Sequence, residues 1–164
     1  MTLMNRWYVA ISAVAFALLL ATTGGAQQTS DDLRGVWKLT RLTEGGKDVP
    51  MNAFMFLSKT YYSRVTVEKD RPKFPKGFDF RKPETLTPEQ QHTVALLFPR
   101  SNSNGGTYHV EGNTFFFTAL AHQNPNAEGV EFRRRMELHG NTLRLVQEAD
   151  RGADETWLRV EDFR

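Results

Sequence analysis

The sequence predicts an all-β fold, an up-and-down antiparallel β-barrel with one short helix. Three observations carry this reading. Runs rich in strand formers alternate apolar and polar residues at a period of two. Gly112-Asn113 and Gly140-Asn141 separate such runs by two residues, the spacing of tight hairpins in which both central residues can take positive φ. Only one stretch, near the middle of the chain, breaks the pattern, and it ends in a well-signalled helix start.

In chain order, Val36 to Leu42 alternates and stops at the turn cluster Glu44-Gly45-Gly46-Lys47-Asp48. Phe54 to Leu57 and Tyr61 to Val67 read as a hairpin around Ser58-Lys59-Thr60. Glu68 to Leu86 is rich in Pro, Lys and Phe and reads as an irregular excursion. Thr87-Pro88-Glu89-Gln90 then opens a helix: Thr87 can cap, Pro88 suits the first helical position, and Gln90 completes a capping box. The helix is expected to reach about Phe98, with Val94, Leu97 and Phe98 on one stripe and Pro99 ending it. It fits a lid over the barrel and a helix packed outside it equally well. Ser101 to Gly106 reads as a flexible connection. Gly106 to Glu111, Thr114 to Leu120, Val130 to Leu138, Thr142 to Gln147 and Glu155 to Val160 supply the remaining strands, and such a series closes naturally into a barrel.

The first residues have the order of an export signal. Arg6 precedes an apolar run from Trp7 to Ala21, and Gly24 and Ala26 are small enough for signal peptidase. The expected boundaries are a signal peptide at 1–26, cleaved after Ala26, and one barrel domain at 27–164, placed in the periplasm or secreted. The apolar run is shorter than the roughly 20 residues of a membrane span, and no cysteine follows it to take a lipid, so no stable membrane anchor is expected. The chain has 0 cysteines, so no disulfide can support the fold. With 21 Lys+Arg against 19 Asp+Glu the charge is nearly balanced, which argues against a nucleic-acid partner.

Several stretches carry a family likeness. They are Gly35-Val36-Trp37 at the start of the first strand, the Phe54 to Val67 hairpin leading into Arg71-Pro72-x-Phe74, and Thr87-Pro88-Glu89. Gly106-Thr107-Tyr108-x-Val110-x-Gly112-Asn113 and Phe132-x-Arg134, followed by Glu137-Leu138-x-Gly140-Asn141-x-Leu143-x-Leu145, complete the set. In this order the chain resembles the bacterial and fungal lipocalin-like domains over Leu33 to Glu161. The resemblance implies a barrel whose floor is built on Gly35 and Trp37, with an arginine from a late strand, Arg159 or Arg144, stacked on the indole. Family members often carry His or other polar residues in the strand after Gly-Asn. This chain has Phe115-Phe116-Phe117-Thr118, so the resemblance implies a more apolar site here.

Among candidate site residues, Arg134 is the sharpest. The period of two puts Phe132, Arg134, Met136 and Leu138 on one, otherwise apolar, face. An arginine buried there needs an anion, either a protein carboxylate on a neighbouring strand or the carboxylate of a ligand. Arg133 and Arg135 fall on the solvated face. Arg64 shares a face with Tyr62 and Thr66, and one strand cannot decide whether that face is inside. If it is, Tyr62 and Arg64 join an aromatic box with Phe115, Phe117 and Tyr108. Phe74, Phe78 and Phe80 fit either a rim over the barrel mouth or anchors on its outside wall. The histidines His92, His109, His122 and His139 are scattered and show no metal-ligand spacing, so neither a metal nor any other cofactor is expected. His109 should point outward, and the loop residue His122 is the best general-base candidate.

The expected function is binding of a small hydrophobic or amphipathic ligand in the lumen, one that can carry a carboxylate. The alternatives are an isomerase or cyclase on the same fold, and an envelope protein that binds a partner without a lumen ligand.

Overall fold

The computed structural model describes residues 28–74, 79, 82–148 and 152–163. The expected signal segment with its cleavage point lies outside these residues, as do Phe78 and Phe80. The strands are β1 (Gly35–Glu44), β2 (Lys47–Asp48), β3 (Met51–Leu57), β4 (Tyr61–Glu68), β5 (Ser101–Glu111), β6 (Thr114–His122), β7 (Glu131–His139), β8 (Thr142–Val146) and β9 (Ala153–Asp162). The helix α1 spans Pro88–Leu97, within the β4–β5 connection. Every pairing is antiparallel, and the sheet order β2-β1-β3-β4-β5-β6-β7-β8-β9 closes through a second pairing of β1 with β9. Setting aside the two-residue β2, this is an eight-stranded up-and-down barrel, lipocalin-like in general shape. Closure leaves no long strand edge, which suits a chain without disulfides.

The interior follows from alternation. Trp37 and Leu39 on β1, Ala53, Met55 and Leu57 on β3, Tyr62 on β4, Tyr108 on β5, Phe115 on β6, Met136 on β7, Leu143 and Leu145 on β8 and Trp157 on β9 form one buried cluster. One end is closed by the 3₁₀ turn Ser30–Leu33, whose Leu33 is fully buried. The Trp37 Nε1–H donates to the Leu33 carbonyl at 2.8 Å. The Arg159 guanidinium lies 4.6 Å from the centre of the Trp37 ring, donates to the Asp32 carbonyl and pairs with Asp162 at 3.1 Å. Arg144, the other candidate for that position, is on the outer face. Gly35 has φ +143°, and a Cβ there would stand 2.3 Å from the Glu161 carbonyl oxygen, so the first residue of the Gly-x-Trp stretch must lack a side chain.

Three details differ from expectation. Ser101 to Gly106 is not a loop: it is the first half of β5 and pairs along β4 from Val67↔Ser101 to Tyr62↔Gly106. Ladder hydrogen bonds are made by the backbone, so small polar side chains on the barrel rim do not prevent pairing. In the two Gly-Asn turns only the glycines, at φ +59° and +58°, are in the left-handed region, as in a type II′ turn rather than the mirror-image turn with two such residues. The helix has the expected capping box, with Thr87 Oγ1 accepting from the Gln90 N–H at 3.3 Å and Gln90 Oε1 accepting from the Thr87 N–H at 2.9 Å. It ends one residue early at Leu97, and its stripe does not bury as a unit. Leu97 is 5% exposed while Phe98 is 60% exposed and opens a 3₁₀ turn. No helix among the described residues is long and apolar enough to cross a membrane.

On the outer face Arg144 ties three strands together. It holds Asp154 through Nε at 2.9 Å and Nη2 at 2.6 Å, and Glu137 through Nη1 at 3.1 Å, while Arg135 also bonds Glu137. Hydrogen bonding to Arg144 holds the Asp154 carboxyl below its ordinary 3.8, and hydrogen bonds from Arg135 and then Arg144 hold Glu137 below 4.5. A depressed folded-state pKa stabilises the fold above the unfolded value and loses that effect as pH falls through the folded one. Arg144→Gln should therefore lower Tm at pH 7, and its gap to wild type should close as pH falls from about 5 toward about 2. Thermal unfolding followed by circular dichroism across that range checks this. A gap independent of pH would show that the arginine acts through packing alone.

Candidate functional site

Alternation on β4 turns Tyr62, Arg64 and Thr66 inward and leaves Tyr61, Ser63 and Val65 exposed, which settles the face that one strand left open. β7 brings in Phe132, Arg134 and Met136, β6 brings Phe115 and Phe117, and β9 brings Glu155, Trp157 and Arg159. A polar cluster therefore sits inside the barrel, beyond the packed floor.

Its centre is Glu155, 3% exposed. Arg64 grips it with two parallel bonds, Nη2 to Oε1 at 2.8 Å and Nη1 to Oε2 at 3.1 Å, and Trp157 Nε1–H donates to Oε2 at 3.1 Å. The third arm of Arg64, Nε, donates to Thr66 Oγ1 at 3.1 Å, and its guanidinium lies 5.1 Å from the centre of the Trp157 ring. This is the bidentate geometry that makes an arginine–carboxylate pair strong. The internal ion pair anticipated for Arg134 thus exists, but it belongs to Arg64.

Arg134 has a different environment. Its guanidinium lies 5.7 Å from the centre of the Phe117 ring, and Nη1 donates to the neighbouring Arg133 carbonyl at 3.2 Å. Among the described residues it forms no ion pair. Burial lowers its pKa, Glu155 raises it, and the like charge of Arg64 lowers it again. Tyr62 is 5% exposed, and its hydroxyl has no hydrogen-bond partner among the described residues. Burial raises the Tyr62 pKa against the lowering effect of Arg64, so the phenol keeps its proton at neutral pH. Tyr62 and Arg134 flank one ring, since Tyr62 meets Phe117 edge-on at 5.6 Å.

Two spaces adjoin this cluster. Inside, Met55, Tyr62, Arg64, Phe115, Phe117, Arg134, Leu145 and Glu155 line a cavity of about 10 Å³, the room one water-sized group needs. Along β7 lies a lateral concavity of about 520 Å³, lined by residues including Phe116, Phe132, Arg133, Arg134, Arg135, Val146 and Glu148. Arg134 lines both. The strand stagger explains this position: β6 pairs β7 over Glu131 to Arg135, whereas β8 pairs it only over Arg135 to His139. The first half of β7 is thus not covered by β8.

The remaining candidates lie elsewhere. Tyr108 belongs to the closed end: its hydroxyl is shared between the Ser58 carbonyl at 2.6 Å and the Ser30 carbonyl at 3.2 Å. Burial, with a further push from Asp31 and a small opposing effect of Arg34, takes its pKa up to about 12. Met136 is 2% exposed in the core and lines neither space. Tyr108 and Met136, expected to line a ligand-filled lumen, instead fill the barrel, as side chains do in small barrels. Phe115 borders the inner cavity from the core side, and Phe132 stacks on Phe117 at 5.3 Å. His109 points outward and stacks on Phe116 at 4.8 Å. His122 Nδ1 accepts the Asn124 N–H at 2.8 Å, so its lone pair is engaged in a turn away from the cluster. Among the described residues no group of His, Asp or Glu side chains converges as metal ligands would.

The sequence reading missed Glu155. It alternates with Trp157 and Arg159 on the last strand, and extending the inward face of that strand by one step would have found it.

No protein-family model matches the chain, and no curated protein matches it. Among solved structures it is similar to an uncharacterized protein from Bacteroides eggerthii DSM 20697, at 12% identity and a TM-score of 0.46, with 77% of this chain and 98% of that chain covered.

Proposed function

We propose that this chain is an exported lipocalin-like barrel that binds a small amphipathic carboxylate, held by Arg134 where the lateral concavity meets the interior. One observation carries the reading: Glu155 is held directly by Arg64 and Trp157, while Arg134, which Glu155 reaches only through space, is a second, partly desolvated cation with no ion pair among the described residues. A cation in that setting is costly until an anion reaches it. Phe132, Phe116 and Val146 offer apolar surface for the rest of the ligand, and about 520 Å³ lies within the range of about 300–1,000 Å³ usual for small-molecule sites. The filled interior favours a compact ligand seated along β7 over a long lipid threaded down the barrel axis.

Isothermal titration with hexanoate, decanoate and 3-phenylpropionate, each beside its alcohol, tests the proposal. Hydrogen bonds to a charged group contribute about 1.5–3 kcal/mol, so the best acid should bind at least about 10-fold more tightly than its alcohol. Arg134→Met should remove that preference, and Arg134→Lys should retain part of it because lysine keeps the charge but loses the fork. Acids that bind no better than alcohols, or an Arg134→Met variant that keeps full affinity, would refute it.

A further inference from the structure

We infer that the ligand carries one oxygen beside its carboxylate, as in a 2-hydroxy or 2-oxo acid, and that Tyr62 is the residue that reads this oxygen. The inference rests on the anion site proposed at Arg134 and assigns the chemistry next to it.

A buried hydroxyl without a partner calls for an explanation, because each costs stability and most native ones are satisfied. The Tyr62 hydroxyl is such a group, with Tyr62 only 5% exposed. Tyr62 lines the inner cavity, whose other polar walls are Arg64, Glu155 and Arg134. Arg64 and Glu155 are committed to each other, and Trp157 takes a further share of the carboxylate. The polar groups left to meet a guest are therefore the Tyr62 hydroxyl and the Arg134 guanidinium.

The size of the cavity limits what can enter. About 10 Å³ is the room that one oxygen-sized group needs. Arg134 lines this cavity as well as the lateral concavity, and it shares the Phe117 ring with Tyr62. A carboxylate held at the edge of the Arg134 guanidinium, where the two spaces share this residue, could turn a substituent of its α-carbon into the inner cavity. A hydroxyl or keto oxygen there accepts from Tyr62, which remains a donor because burial keeps its proton on. Tyr62 makes no claim on the carboxylate itself, so it sets specificity and Arg134 sets affinity.

The test compares octanoate, 2-hydroxyoctanoate and 2-oxooctanoate by isothermal titration on wild type, Tyr62→Phe and Arg134→Met. Wild type should prefer at least one of the 2-oxygenated acids over octanoate by roughly 5- to 10-fold, the yield of one neutral hydrogen bond. Tyr62→Phe should bind octanoate as wild type does and lose the preference. Arg134→Met should weaken all three acids. Equal binding of the three acids by wild type, with Arg134→Met weakening them all, overturns the assignment of Tyr62 while the anion site stands. No binding of any acid, or full binding by Arg134→Met, overturns both. Unfolding without ligand gives a second readout. Tyr62→Phe should melt no lower than wild type, because it removes a hydroxyl with no protein partner. A lower Tm combined with an unchanged acid preference assigns the hydroxyl to structure and overturns the inference.

Discussion

Glu155→Gln should destabilise the barrel by about 3–5 kcal/mol, the cost of removing one partner from a buried ion pair. The Glu155 and Arg64 side chains are 4% and 20% exposed, so solvent screens the pair weakly. The amide can still accept one bond from Arg64 or Trp157, but it supplies no charge. Arg64 and Arg134 would then face the same lumen with no anion between them. Two further variants distinguish this cause from lost packing. Arg64→Met combined with Glu155→Leu removes both charges and should recover to within about 1–2 kcal/mol of wild type, since apolar replacements of buried pairs are often tolerated. Arg134→Met added to Glu155→Gln should raise stability, because it relieves the repulsion between the two guanidinium groups. Urea unfolding with an unchanged m value makes the comparison clean. A Glu155→Gln loss under about 1 kcal/mol would show that water reaches the pair and that Arg134 is not desolvated either.

These energetics mark where sequence reasoning succeeds and where it stops. Alternation along one strand is local, so the inward positions of Phe132 and Arg134 were legible, and so were the hairpins at Gly112 and Gly140. Partner choice is not local. Arg64 and Glu155 are 91 positions apart, on strands β4 and β9, which do not pair and which meet only across the closed lumen. Nothing near either residue says which of two inward arginines will take the glutamate. The placement of Tyr108 failed for a related reason. Its inward orientation was right, but its partners are carbonyls of the Ser58 and Ser30 segments, which converge only when the barrel end closes. Ser101 to Gly106 misleads by composition: its residues are typical of loops, yet the β4 backbone opposite them needs a partner.

The sharpest consequence of that correction is at Gly106. β6 carries a bulge here: Gly105 faces Ala121 and Gly106 faces Ala119, leaving Leu120 as the extra residue. A Cβ on Gly106 would stand 1.9 Å from the Thr118 carbonyl oxygen and 2.7 Å from the Leu120 nitrogen. Both are backbone atoms at the bulge, so no rotamer change can relieve the contact. Gly106→Ala should therefore cost about 3 kcal/mol or more, at or beyond the upper end for overpacking. Gly105→Ala, whose Cβ would sit 3.2 Å from the Tyr62 carbonyl oxygen, needs only a slight shift and should cost about 1 kcal/mol. A flexible loop would tolerate both substitutions equally, so urea unfolding of the two variants separates strand from loop. Gly106 is also the β5 partner of Tyr62. If a folded fraction of Gly106→Ala survives, β5 and β6 must have parted at the bulge, and Tyr62, which pairs with Gly106, should be displaced with β5. If the acid site proposed at Arg134 and Tyr62 exists, the variant should lose its discrimination among 2-substituted acids before it loses affinity for the carboxylate.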